Sequence, residues 1–111
     1  MTVTIYGLKT CETCRKARRA LPDARFVDVR EADDLAARLP RWHEAAGARL
    51  LNKASTTWRC LSDTEKARAN EDLVGLLLVH PALIKRPVIE RGDEVFVGWT
   101  PQIRTAHGIT G

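Results

Sequence analysis

An α/β fold is predicted by three observations in the 111-residue chain. A strand, helix, strand succession opens it, helical patterns fill its middle, and a hairpin pattern follows in its last third. The first calls for a parallel crossover and the last for an antiparallel pair, so one sheet covered by helices accommodates both. The length suits one domain with one core, and residues 1–111 are read as that single unit.

Val3, Ile5 and Tyr6 around Thr4 read as a short strand that stops at Gly7. Cys14 to Leu21 reads as a helix stopped by Pro22, and Arg25 to Val29 as the second strand, carrying Phe26, Val27 and Val29. Glu31 to Ala46 is helical by composition, with Leu35, Leu39, Trp42 and Ala46 at helical spacing. Within it Pro40 calls for a kink or a second short helix, and Gly47 is a stop.

Residues 50–60 have no clean period and are rich in capping side chains, which predicts a connection or a broken helix. Ser62-Asp63-Thr64-Glu65 has the capping-box pattern, and Leu73, Leu76, Leu77 and His80 mark a further apolar face that ends at Pro81. Residues 87–91 and 94–98 are two strand-like runs about Gly92-Asp93, and Thr100 to Ala106 adds a terminal helix. Two strands with a crossover, then helices, then a hairpin is an arrangement of the thioredoxin type.

Lys and Arg number 18 against 14 Asp and Glu, a formal net charge of +4, but the two signs are interleaved and no basic block stands out. DNA binding is not indicated. No apolar run reaches the length needed to cross a bilayer, and Met-Thr-Val-Thr-Ile lacks the pattern of a signal peptide. The expectation is a cytoplasmic, monomeric protein without a membrane span. Three cysteines do not make a disulfide framework, so the question they raise is thiol chemistry or metal binding.

Cys11 and Cys14 form a Cys-x-x-Cys between a strand and a helix. Free N–H groups and the positive end of the helix dipole push a sulfur placed there toward thiolate. Arg15, Lys16, Arg18 and Arg19 add positive charge, and Thr10 is a candidate cap beside Cys11. An exposed thiolate attacks and its neighbour closes a disulfide, which makes Cys11 and Cys14 the candidate catalytic pair. A zinc site would need two more ligands from Cys60, His43, His80 and His107, none of them in a second paired spacing, so no metal is assigned. Two inert thiols are the structural alternative.

Arg86 precedes Pro87 at the start of a strand, where an X-Pro bond can be cis and the guanidinium can clamp an oxyanion or carboxylate; an ordinary surface arginine is the competing reading. Arg59 raises the same pair of readings. Cys60 reads as a small packed residue, His80 as an imidazole complementing a helix dipole, and Trp42, Trp58 and Trp99 as packing residues.

Taken in order, residues 6–11 (Tyr-Gly-Leu-Lys-Thr-Cys), Cys14-Arg15-Lys16-Ala17, Leu51-Asn52-Lys53, Thr56-Thr57-Trp58-Arg59, residues 80–88 with their Leu-Ile-Lys-Arg-Pro-Val run, and Val97-Gly98 resemble the arsenate reductase (ArsC) and Spx family, nearest to its YffB-like branch. The resemblance spans nearly the whole chain. It implies a thioredoxin-like, four-stranded mixed sheet flanked by helices, with a helical insertion between strand 2 and the C-terminal hairpin. It also implies a nucleophile at Cys11, an anion pocket drawing on Arg59 and Arg86, and a cis proline at Pro87.

The activity implied is that of a thiol-disulfide oxidoreductase working through a mixed disulfide, with no bound cofactor and glutathione as co-substrate. Glutaredoxin or a protein thiol is the further partner. Arsenate reductases of this type carry another arginine on the last strand, where this chain has Val95-Phe96-Val97-Gly98-Trp99, so arsenate reduction is an alternative. The remaining alternative is a Spx-like regulator that binds the RNA polymerase α subunit. The cysteine pair favours it, and Asn52-Lys53-Ala54-Ser55 in place of the family's Asn-Lys-Arg-Gly counts against it.

Overall fold

The computed structural model describes residues 2–108. Their elements in chain order are β1 (Val3–Gly7), α1 (Glu12–Ala20), β2 (Arg25–Asp28), α2 (Leu35–Ala46), α3 (Thr56–Cys60), α4 (Asp63–Glu71), α5 (Leu73–Val79), β3 (Val88–Arg91), β4 (Glu94–Val97) and α6 (Pro101–Ala106). The backbone divides into two compact units, one made of the residues through Asp28 and from Arg86 onward, the other of Val29–Lys85.

The first unit holds the sheet, in the order β2-β1-β3-β4. β1 runs parallel to β2 and antiparallel to β3, and β3 pairs antiparallel with β4, so this is a four-stranded mixed sheet of the expected thioredoxin-like class. Ile5 stands opposite Phe26 on one side and Ile89 on the other, and Ile89 stands opposite Phe96. Those four apolar side chains form a row across one face, because the side chains of directly paired residues share a face. Ala17 of α1, Leu21, Trp99 and Ile103 of α6 pack on that row. Complete burial of a side chain such as Ile5 or Ile89 contributes about 1.5–3 kcal/mol.

α1 buries Cys14 and Ala17, three residues apart on one side, and ends where Leu21 leaves helical geometry before Pro22. Gly92, at φ 59°, supplies the left-handed step of the two-residue turn between β3 and β4. Arg91 crosses that turn to Glu94 at 2.9 Å and donates to the Ala106 carbonyl at 2.7 Å, tying the end of α6 to the hairpin.

The second unit is helical. Its first helix starts at Leu35 and not at Glu31, with Asp34 as its N-cap: the Asp34 carbonyl accepts from Ala37 and Arg38 N–H, and its carboxylate takes Arg38 Nε at 2.6 Å. Pro40 lies inside α2 without dividing it. The ring is exposed while Leu35, Leu39, Trp42 and Ala46 bury the other face, and that burial offsets the lost backbone bond. Gly47 ends the helix at φ 58°.

Ser55 caps α3 by accepting from Trp58 N–H at 3.1 Å. Ser62 and Glu65 form the capping box at the start of α4. His80 is the C-cap residue of α5, as expected at that helix end, and meets the Glu65 carboxylate at 3.0 Å. Among the described residues no helix is long and apolar enough to cross a membrane.

Candidate active site at the first helix

β1 delivers the chain to Gly7, and a turn through Lys9 and Thr10 brings Cys11 to the start of α1, its N–H donating to the Leu8 carbonyl at 3.1 Å. Cys11 itself is the N-cap residue, with extended φ −82° and ψ 122°. Thr10 is exposed in the preceding turn and is not the cap, a correction to the sequence reading. The reason is that the helix begins one residue later than a Thr10 cap would require, so the first free N–H groups face the Cys11 sulfur.

Partial burial alone would push the Cys11 thiol up. The Cys14 N–H, the Cys14 S–H, the Arg86 guanidinium and the Thr13 N–H all hydrogen-bond to it and outweigh burial, holding its pKa below the 9.0 of an ordinary thiol. Three of these donors come from α1 and one from the segment entering β3. The register Tyr6↔Val88 puts that segment beside the end of β1, which is how Arg86 comes to lie against a residue 75 positions earlier. The Arg86–Pro87 peptide is cis.

Cys14 has the opposite character. It is fully buried, and burial pushes its thiol up from 9.0 to about 11, reinforced by its hydrogen bond to Cys11 and by the Cys11 charge, against the Leu8 N–H and the Arg86 charge. The pair is therefore a tightly protonated thiol donating to a sulfur whose ionisation is eased. The room for Cys14 comes from Gly7, where any Cβ would overlap its Sγ. The sequence reading took Gly7 only as a strand end. The signal for its second role, a glycine seven residues before an inward-facing cysteine, becomes visible only when β1 and α1 are placed together.

Cys11, Cys14, Arg86 and Pro87 thus meet within the sheet-bearing unit. Arg59 belongs to the helical unit, exposed on α3 with its Nη2 donating to Thr56 Oγ1 at 3.4 Å. Cys60 next to it is exposed and free, not packed as the sequence reading had it. Trp58 lies between Lys53 and Lys66, with their ammonium groups 5.6 and 5.8 Å from its ring. Among the described residues no group of three His, Cys, Asp or Glu side chains is placed to hold a metal ion.

Chemically, the arrangement offers a nucleophilic sulfur at the surface, a cation against it to balance the anion, and a second sulfur behind it. It can attack a disulfide or another electrophilic centre and hold the adduct.

Residues 6–105 match the ArsC family. The chain is 32% identical over 103 residues to a protein of Haemophilus influenzae, covering 87% of this chain and 90% of that one. Among solved structures it is similar to a YffB protein, with a TM-score of 0.84 and 35% identity over 95% of this chain and 97% of that chain. An arsenate reductase (ArsC) related protein from Brucella melitensis gives 0.71 and 36%, over 97% and 95%. An arsenate reductase from Vibrio cholerae, at 18% identity, shares the fold with a TM-score of 0.73 over 99% and 98%.

Proposed function

The chain belongs to the ArsC family, and we propose that it is a glutathione-dependent thiol-disulfide oxidoreductase with Cys11 as its nucleophile. The single observation that supports this most is the set of donors that hold the Cys11 thiol below its ordinary pKa.

In the first step the Cys11 thiolate attacks the glutathione sulfur of a mixed disulfide. A Cys11–glutathione disulfide forms, the substrate S–S bond breaks, and the substrate leaves as thiolate. In the second step a glutathione thiolate attacks the glutathione sulfur of that adduct, releasing oxidised glutathione and restoring the Cys11 thiolate. Each step exchanges one S–S bond for another, and glutathione supplies the two electrons overall. Arg86 offsets the charge on Cys11 at the start and at the end of the cycle, and the helix start does the same through its N–H groups.

The role of Cys14 follows from the same balance. While Cys11 is anionic, Cys14 is a donor with its own proton held tightly. Once Cys11 carries glutathione, the Cys11 charge no longer opposes Cys14 ionisation, while burial, the larger cause of its raised pKa, still does. Closure of a Cys11–Cys14 disulfide is the second reading, supported by the direct hydrogen bond between the two thiols. Arg59 is assigned the anionic end of glutathione or substrate on the strength of the family resemblance.

Mass spectrometry after treatment with oxidised glutathione tests the proposal. The expected product is a glutathione adduct on Cys11, absent in Cys11→Ser and accumulating in Cys14→Ser. A protein that takes up no glutathione at Cys11 sinks the reading, and a Cys11–Cys14 bond as the sole product selects the dithiol route.

A further inference from the structure

Beside the nucleophile, within the same compact unit, runs an open groove of about 570 Å³ that the chemistry at Cys11 does not use. Thr13, Lys16 and Arg19 line it from α1, and Trp99, Pro101 and Arg104 line it from the end of the sheet and α6. Its walls carry three cations and no carboxylate. Among the described residues Lys16 and Arg104 have no carboxylate partner. Arg19 meets Glu12 at 3.4 Å with both side chains mostly exposed, and the same carboxylate is shared with Arg15 at 3.8 Å. One exposed acid shared in this way neutralises little of the charge.

The groove shares a residue with the surroundings of the nucleophile. Thr13 in its lining is the residue whose N–H bonds to the Cys11 sulfur, and Lys16 and Arg19 follow it along the helix at steps of three. At 1.5 Å per residue the six positions from Thr13 to Arg19 span about 9 Å, the reach of roughly three extended residues. The half-buried Trp99 indole gives the same groove an apolar side against which a chain can lie.

From this juxtaposition we propose that the groove between α1 and α6 is the docking site for the protein substrate, an acidic peptide segment lying within about four residues of the glutathione-bearing cysteine that leaves as thiolate when Cys11 attacks the glutathione sulfur. The inference rests on the thiol-exchange reading and adds to it the substrate class. Charge complementarity selects the occupant: Lys16, Arg19 and Arg104 together call for several carboxylates at successive positions along a chain. Thr13, which lines the groove and bonds to the Cys11 sulfur through its N–H, places the reactive cysteine near that lining residue.

The test separates docking from catalysis by using the full chain with Cys11→Ser, which binds without reacting. Fluorescence anisotropy is measured with two labelled short peptides, one carrying three glutamates beside a central serine and the other three glutamines. Three surface charge pairs are expected to favour the glutamate peptide by about tenfold at low salt, with the preference fading as salt rises. Lys16→Glu with Arg104→Glu should abolish the preference, Lys16→Ala with Arg104→Ala should reduce it, and Arg25→Glu, an exposed charge on β2 outside the groove, should change it less than about twofold. Thermal melts establish that the variants are folded.

Equal binding of the two peptides overturns the proposal, as does an Arg25→Glu loss equal to that of the groove variants, which would mean a diffuse field. A rise in KM for glutathione that parallels the groove substitutions also overturns it, by making glutathione the occupant. If no glutathione adduct forms at Cys11 but the glutamate peptide still binds through Lys16 and Arg104, the catalytic reading fails and the docking site stands.

Discussion

Replacing Gly7 by alanine tests whether the Cys14 sulfur fills the space that a glycine leaves. A Cβ there overlaps Cys14 Sγ, lies 3.2 Å from Cys14 Cβ and 3.7 Å from Phe26 Cε1. The Phe26 approach is ordinary contact, so the strain falls on Cys14, which is fully buried and has no solvent to retreat into. Gly7 is outside the left-handed region, so backbone strain adds nothing. Overpacking of this kind costs about 1–3 kcal/mol, and a domain of this size loses about 4 °C of Tm per kcal/mol, which gives an expected fall of roughly 4–12 °C.

A double-mutant cycle with Cys14→Ala isolates the clash. Removing the sulfur leaves only the 3.2 Å contact with the Cβ, which a shift of a few tenths of an ångström relieves. The double variant should therefore be more stable than the sum of the single variants by about 1–2 kcal/mol, measured by urea unfolding. Iodoacetamide should also alkylate Cys11 more slowly in Gly7→Ala, since the displaced Cys14 no longer donates to it. An unchanged Tm, or single effects that add within about 0.5 kcal/mol, would refute this account of the packing.

Cys14→Ala removes the S–H donor and should raise the Cys11 pKa, read from thiolate absorbance against pH, with Cys14→Ser retaining part of the effect. Arg86→Gln should likewise raise the Cys11 pKa and slow its reaction with oxidised glutathione, and Arg86→Lys should recover only part because its ammonium lacks the planar fork. Arg59→Ala should raise KM for glutathione without moving the Cys11 pKa; a pKa shift there would contradict its assigned role. In the folded protein Cys14 keeps its proton up to about 11, whereas the unfolded chain releases it near 9.0. The stability this contributes is complete below 9.0 and lost as pH rises toward 11, so Cys14→Ala should flatten that alkaline fall in denaturant midpoints. The Glu65 carboxyl, held below its usual value chiefly by His80, works in the opposite sense. Its contribution is present above 4.5 and lost as pH falls through the lowered value, so Glu65→Gln should soften the acid limb of unfolding.

The crossover and the hairpin were legible because their signals are local: Gly7 and Pro22 punctuate the first, and Gly92-Asp93 the second. The capping box at Ser62 and Glu65 was legible for the same reason. The onset of α2 was not, because composition from Glu31 onward favours helix equally well and no single residue there marks Asp34 as the N-cap. At the site, the position of Cys11 at a helix start was readable, but the division of labour between the thiols was not. It depends on Cys14 being sealed under Gly7 and on Arg86 arriving through the register of β3, both contacts between distant parts of the chain. Arg104 was invisible as a partner of Lys16 and Arg19 for that reason as well.

The order β2-β1-β3-β4 has a bearing on how the middle of the chain is attached. Asp28, the last residue of β2, stands beside Gly7, and Val88, the first of β3, stands beside Tyr6. The chain thus leaves and re-enters the sheet at the same end, on either side of β1, across two strand spacings or about 10 Å. Everything from Val29 to Lys85 is a detour between two nearby doors. The Tyr6–Val88 pairing closes that detour, and it is this pairing that delivers Arg86 to Cys11.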